Sequence, residues 1–165
     1  MIKNLVGFTQ YIQRFDQVLP GDIVAMRDIG AYTGHTATVI SVNSTTMKPY
    51  LMGLANSNSK WENTTYYEMT VVDCSSDKHS ADTRNFFNSQ GILLRQTQGV
   101  GIGIMGVLVD SNFNVVAHTW SLPGSGDYYG NLTKQNQWIG SLNNKLKDQS
   151  SPGGREMVFG RLSLP

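Results

Sequence analysis

Three side chains capable of acid–base or nucleophilic chemistry stand at the ends of apolar, strand-like segments of this sequence. His35 opens the run 36–42, and Asp73 and Cys74 together end a third such run. An imidazole has an unperturbed pKa of about 6.5, so it can act as a base near neutral pH. A base, an acid and a thiol are the parts of a cysteine hydrolase. Nucleophilic hydrolysis is therefore the first chemistry that these residues suggest.

Hydrophobic periodicity predicts the elements that position these side chains. Apolar residues from Ile2 to Phe15 fall on one face at helical spacing and predict a helix over residues 3–16. Apolar runs bounded by turn residues predict about six strands. They lie at 22–27, 35–42, 67–72, 99–109, 115–120 and 157–162.

Two long polar stretches, 43–65 and 121–155, connect these strands. We expect a helical turn at 83–88 and a short helix near 135–146. The predicted fold class is α+β, with an N-terminal helix packed on an antiparallel, barrel-like sheet of about six strands. A single domain over residues 1–165 accommodates these elements.

Composition excludes several function classes. The net charge is +1 and Lys and Arg are scattered, which argues against a nucleic-acid surface. No apolar run approaches the ~18 residues of a spanning helix, and the first residues lack the uncharged core of a secretion signal. We therefore expect a soluble chain with no membrane partner, in a compartment that the sequence does not reveal. The single cysteine cannot form an intrachain disulfide.

A glycine pattern in the predicted hairpin resembles a nucleotide-binding fingerprint. Gly101, Gly103 and Gly106 spell G-x-G-x-x-G, but a strand continues where that fingerprint needs a helix. Alternate glycines on one strand face instead allow a helix or a ligand to approach the backbone. The sequence therefore predicts no nucleotide.

Metal ligation is not indicated either. Cys74 and the three histidines, His35, His79 and His118, lack the paired spacings of zinc sites. His118 lies in the middle of a predicted strand and is interpreted as structural. No metal or other cofactor is predicted.

Each candidate also has an ordinary structural interpretation. His35 can be a surface histidine, Asp73 can cap the turn into Ser75 and Ser76, and Cys74 can be a small buried side chain. Because adjacent strand residues point to opposite faces, Asp73 and Cys74 compete for the side that faces His35. We favour Asp73 as the partner of His35.

Four motifs of the sequence are P-G-D-I-V-A at 20–25, T-G-H-T-A-T-V at 33–39, V-V-D-C-S-S-D-K-H-S-A-D-T-R at 71–84 and G-V-G-I-G-I-M-G at 99–106. Together they resemble the NlpC-type, papain-like cell-wall peptidases and amidases of bacteria. The resemblance covers roughly residues 17–120, with a weaker echo at 159–162. It implies a papain-like fold that cleaves peptide or isopeptide amides.

The resemblance also implies roles for individual residues. His35 matches the base and Asp73 the orienting acid, while Gly34, His79, Asp82 and Arg84 would bind substrate by shaping or bracing the cleft. The family places its cysteine upstream of the Gly-Asp strand, and residues 1–20 contain none. Either a segment preceding this chain supplies the thiol, or Cys74 does, or the chain binds a cell-wall peptide or another ligand without cleaving it.

Overall fold

The computed structural model describes residues 9–28, 34–44, 63–122, 139–140 and 156–162, and these residues are almost entirely β. Besides a short 3-10 helix at Phe15–Gln17, they form ten strands. The first five are β1 (Thr9–Ile12), β2 (Ile23–Met26), β3 (His35–Ser44), β4 (Thr65–Ser75) and β5 (Asn85–Phe87). The others are β6 (Leu93–Gln96), β7 (Gly99–Val109), β8 (Val115–Thr119), β9 (Ile139–Gly140) and β10 (Met157–Leu162). None of the helical residues in this part of the chain forms a segment long and apolar enough to cross a membrane.

Eight of the strands form one antiparallel sheet in the order β1-β10-β2-β3-β4-β7-β8-β9. β5 and β6 form a separate hairpin. The longest pairing joins β4 to β7 over eleven residues, from Thr65 opposite Val109 to Ser75 opposite Gly99. This long ladder fixes which side chains share a face at the centre of the sheet.

The inner face of the sheet carries the main apolar core. Met69 and Val71 of β4 are fully buried there, as are Met105 and Val107 of β7. Phe15 covers them from the 3-10 helix, and its ring packs edge-on against Tyr67 and Phe159 at centroid distances of 5.2 and 5.5 Å. The core thus lies against the central strands β3, β4 and β7 and against β1, β2 and β10 on one side of them.

The predicted α+β fold with an N-terminal helix is wrong. Residues 9–12 form strand β1, which pairs with β10, and residues 15–17 form only one 3-10 turn. Residues 3–8 lie outside the described part of the chain. Ile12, Phe15 and Val18 are buried at intervals of three, which fits a helix face but equally fits a strand followed by one 3-10 turn. Pairing with β10 decided between them, because ladder hydrogen bonds form only in the extended conformation.

Of the other predicted elements, the strands are confirmed and the helical turn is not. The strands expected at 22–27, 35–42, 67–72, 99–109, 115–120 and 157–162 are confirmed as β2, β3, β4, β7, β8 and β10, and the sheet is antiparallel. The helical turn expected at 83–88 is wrong, because residues 85–87 form strand β5. The helix expected near 135–146 lies outside the described residues except for 139–140, which pair with β8 as a strand. The main sheet also has eight strands rather than six.

Candidate functional site

His35 and Asp73 meet on the inner face of the sheet, at the end of β4 that lies beyond the apolar core. Asp73 pairs directly with Ala37, so His35 is the next inward-facing residue along β3 and its side chain reaches diagonally across the strands. Nε2 of His35 lies 2.8 Å from Oδ2 of Asp73. The His35 side chain is 16% exposed and that of Asp73 is fully buried. The structure therefore brings the predicted base and orienting acid into a hydrogen bond at the border of the solvent.

The partner of Nε2 determines which ring nitrogen of His35 carries the hydrogen. A carboxylate only accepts hydrogen bonds, so Nε2 donates and the neutral ring keeps its lone pair on Nδ1. Among the described residues, no hydrogen-bond partner of His35 Nδ1 is present. Within the described part of the chain, this nitrogen can therefore accept a proton from another group.

Cys74 lies on the opposite face of β4. Its thiol is exposed, whereas the neighbouring Asp73 is 5% exposed. Cys74 pairs with Val100, which is itself 74% exposed on the outer face of the sheet. The irregularity in the β3–β4 ladder falls between Val39 and Ser41, away from this end, and so does not reverse the alternation. The structure thus separates the thiol from the histidine that would activate it.

His79 forms a second imidazole contact with Asp73. It is 2% exposed, and its Nε2 lies 3.0 Å from the same oxygen, Oδ2, that His35 contacts. Its Nδ1 lies 2.8 Å from the carbonyl oxygen of Trp120, at the end of β8. Both ring nitrogens of His79 therefore face acceptors.

Asp82 and Arg84 form a buried ion pair behind Asp73. Nε and Nη2 of Arg84 donate to the two carboxylate oxygens of Asp82 at 2.8 and 2.5 Å. Nη1 donates to the carbonyls of Ser75 and Gly99. Nη2 also lies 3.0 Å from Oδ1 of Asp73, as an ion-pair contact without the alignment of a hydrogen bond. All polar nitrogens of this buried guanidinium thus face acceptors, so it braces the site from below.

Backbone hydrogen bonds hold the segment 79–84 along β7. Ser80 bridges Ile104, and the backbone N–H of Thr83 donates to the carbonyl of Ile102. Side chains of this segment cover Gly101 and Gly103, where a methyl group on Gly103 would lie 2.5 Å from Cβ of His79. The alternate glycines therefore make room for a segment of this chain, where the sequence led us to expect a helix or a ligand.

The electrostatic balance of the site keeps Asp73 ionised. Burial by itself raises the pKa of this carboxyl, but hydrogen bonds from His35 and His79 and the charge of Arg84 outweigh it. The resulting pKa of Asp73 lies well below its usual range. Burial likewise raises the pKa of Asp82, but hydrogen bonds from the Arg84 side chain and from two backbone N–H groups outweigh burial. The resulting pKa of Asp82 is lower than its usual value.

Trp120 is a member of the site that the sequence reasoning missed. Its ring packs against His35 at a centroid distance of 4.8 Å and against His79 at 4.1 Å. Its only signal in the sequence was its place as the last residue of the predicted strand 115–120. Its ring lies beside both imidazoles and restricts their orientation.

The remaining predicted residues are placed as follows. Gly34 is exposed just before β3 and is not among the groups that contact Asp73. His118 is buried in β8. In the described part of the chain, no three His, Cys, Asp or Glu side chains are arranged to hold a metal ion.

The arrangement offers an oriented imidazole with one nitrogen that no described residue hydrogen-bonds, supported by a buried carboxylate and its counter-charges. Such a pair can remove a proton from a nucleophile or bind a hydrogen-bond donor of a ligand. No protein-family model, curated protein or solved structure matches this chain. Its chemistry is therefore inferred from the geometry of this site.

Proposed function

We propose that the chain is a cysteine-hydrolase-type domain that cleaves peptide or isopeptide amides, with His35 as general base and Asp73 as its orienting acid. The observation that carries the proposal is the 2.8 Å contact between His35 Nε2 and Asp73 Oδ2 beneath a partly exposed ring. The carboxylate fixes the ring orientation and stabilises the imidazolium that forms when Nδ1 takes a proton. Similarity of the four motifs to cell-wall peptidases suggests cell-wall peptides as the substrate class.

The thiol that His35 would activate is not Cys74. Attack by Cys74 would need its side chain on the inner face, and the alternation of β4 places it on the outer face. The thiol of the proposed reaction is therefore supplied by a segment that precedes this sequence, and the assays below use the protein that carries that segment.

The test measures release of free amines from peptidoglycan fragments and from a short isopeptide. His35→Ala should lower turnover about 100-fold or more, because general base catalysis is typically worth that much. Cys74→Ser is the matched control and should keep the wild-type rate. Turnover unchanged in His35→Ala would reject the assignment of the base, and turnover lost in Cys74→Ser would reject that of the nucleophile.

A non-catalytic binding module is the second candidate. The separation of Cys74 from His35 favours it, because the described residues place no thiol beside the base. In that case the wild-type protein binds a cell-wall peptide in an equilibrium titration and releases no amine, and His35→Ala weakens the binding. That combination would replace the hydrolase proposal.

A further inference from the structure

His79 takes no direct part in the proposed reaction and is buried between two hydrogen-bond acceptors. A backbone carbonyl faces Nδ1 at 2.8 Å and a carboxylate oxygen faces Nε2 at 3.0 Å. A neutral imidazole carries one N–H and can satisfy only one of these acceptors. A hydrogen must therefore lie on both ring nitrogens or on Asp73 itself.

The surroundings of Asp73 decide where that hydrogen lies. Its Oδ2 already accepts from His35, and Arg84 lies against its Oδ1, so every neighbour favours the ionised carboxylate. The hydrogen therefore belongs to His79, which becomes an imidazolium. Two buried cations, His79 and Arg84, then face two buried anions, Asp73 and Asp82.

We propose that His79 is a positioning residue: as an imidazolium held by Trp120 and Asp73, it balances the buried carboxylate and so keeps His35 neutral and able to act as a base. This inference rests on the proposed function, because it assigns His79 to the support of the same base. Without the charge of His79 the cluster would carry a net negative charge. That charge would favour the protonated form of His35, which cannot accept a proton.

All the elements packed around His79 are consistent with this assignment. Among the described residues, the charged and titratable groups near it are Asp73 from β4, His35 from β3 beyond Asp73, and Lys78, Asp82 and Arg84 from its own stretch of chain. β7 presents only the backbone at Gly103, and the end of β8 presents the uncharged Trp120. The backbone N–H of His79 also donates to Asp82 at 2.8 Å, which holds the backbone from which the ring extends.

The first test is the nitrogen-15 spectrum of the histidine rings in the wild-type protein at pH 7.5. We expect two ring N–H signals from His79 and one from His35, with the His79 signals identified by their loss in His79→Gln. A single ring N–H for His79 would overturn the proposal. If His79→Gln does not fold, His35→Gln and His118→Gln identify the signals of the other two histidines, and the number of N–H signals from the remaining ring decides the question.

The second test is the pH dependence of amine release. His79→Gln should move the acidic limb of the pH–rate profile upward by about one pH unit, the lower end of shifts produced by a nearby charge. Lys78→Met is the matched control: it removes the adjacent cation, whose Nζ donates to the carbonyl of Ser76, and should leave the profile in place. An unchanged profile in His79→Gln would contradict the proposed support of the base.

The two proposals fail in different ways. If His35→Ala loses turnover while His79 shows one ring N–H, the hydrolase proposal stands and the role of His79 falls. If the wild-type protein releases no amine, the hydrolase proposal falls. The ring spectrum then still shows whether His79 is the cation that balances Asp73.

Discussion

The inner face of β4 changes character within two residues. Met69 and Val71 pack fully buried into an apolar core, and Asp73, the next residue on the same face, is buried among two imidazoles and a guanidinium. Burial of apolar groups is non-directional, so the core end needs only matching volume. Burial of charge costs several kcal/mol per ion unless partners and hydrogen bonds compensate for it. The two ends of one face should therefore respond very differently to small substitutions.

The largest expected difference comes from Arg84→Met compared with Met69→Leu. Removing the guanidinium leaves Asp82 and Asp73 buried without a cation between them, which should lower the free energy of unfolding by about 3–5 kcal/mol. Met69→Leu nearly conserves volume and should cost less than about 1.5 kcal/mol. Urea denaturation of both variants measures this difference. Equal losses would show that the charged end behaves like ordinary core.

The next effect tests how closely the segment 79–84 approaches β7. Gly103→Ala should cost about 1–3 kcal/mol, because the new methyl group overlaps His79 and one of them must shift. Gly34→Ala is the control for stability, since its added methyl group would meet nothing closer than 3.7 Å. Thermal unfolding of the two variants provides the measurement. A Gly103→Ala protein as stable as Gly34→Ala would mean that this packing is loose.

A smaller effect on the free energy of unfolding is expected when the pH is lowered. The pKa of Asp73 is depressed in the folded protein, so the unfolded chain binds its proton first and stability is lost as the pH falls below the unfolded value of about 3.9. Between pH 5 and pH 3 the contribution of Asp73 should amount to about 1 kcal/mol. The free energy of unfolding of Asp73→Asn should fall less steeply over this range. A slope equal to that of the wild type would contradict the pairing of Asp73.

The smallest effect is expected on the outer face. Cys74→Ser should change the free energy of unfolding by less than about 0.5 kcal/mol, because the side chain is exposed and opposite the buried cluster. Labelling of the wild-type thiol in the folded protein should reach completion without unfolding it. A buried, unlabelled Cys74 would mean that the faces of β4 are assigned the wrong way round.

The local sequence pattern was sufficient to predict part of this site. The apolar run that begins after His35 and the one that ends at Asp73 predicted two strands, and alternation along β4 predicted that Asp73 and Cys74 would face opposite ways. Spacing could not show that His79 reaches Asp73, because that contact depends on a turn after β4 that returns the chain along β7. The place of Trp120 at the end of a predicted strand did not show that it belongs to the site, since its contacts come from two other segments.

The N-terminal segment shows why periodicity misled us. Buried residues at 12, 15 and 18 satisfy a helical repeat, yet β10, almost 150 residues later in the chain, supplies the partner that makes residues 9–12 a strand. A short segment has little intrinsic preference, so the long-range ladder decides its conformation.

The sequence by itself determined the strand-forming runs of the sheet centre and the side of β4 on which a carboxylate or a thiol would appear, because both follow from the two-residue repeat of an extended chain. Only the tertiary structure decided the order of the strands, the conformation of the N-terminal segment and the set of charges around Asp73. Those features depend on contacts between residues far apart in the chain, and local residue order does not encode which distant acceptor a donor will meet.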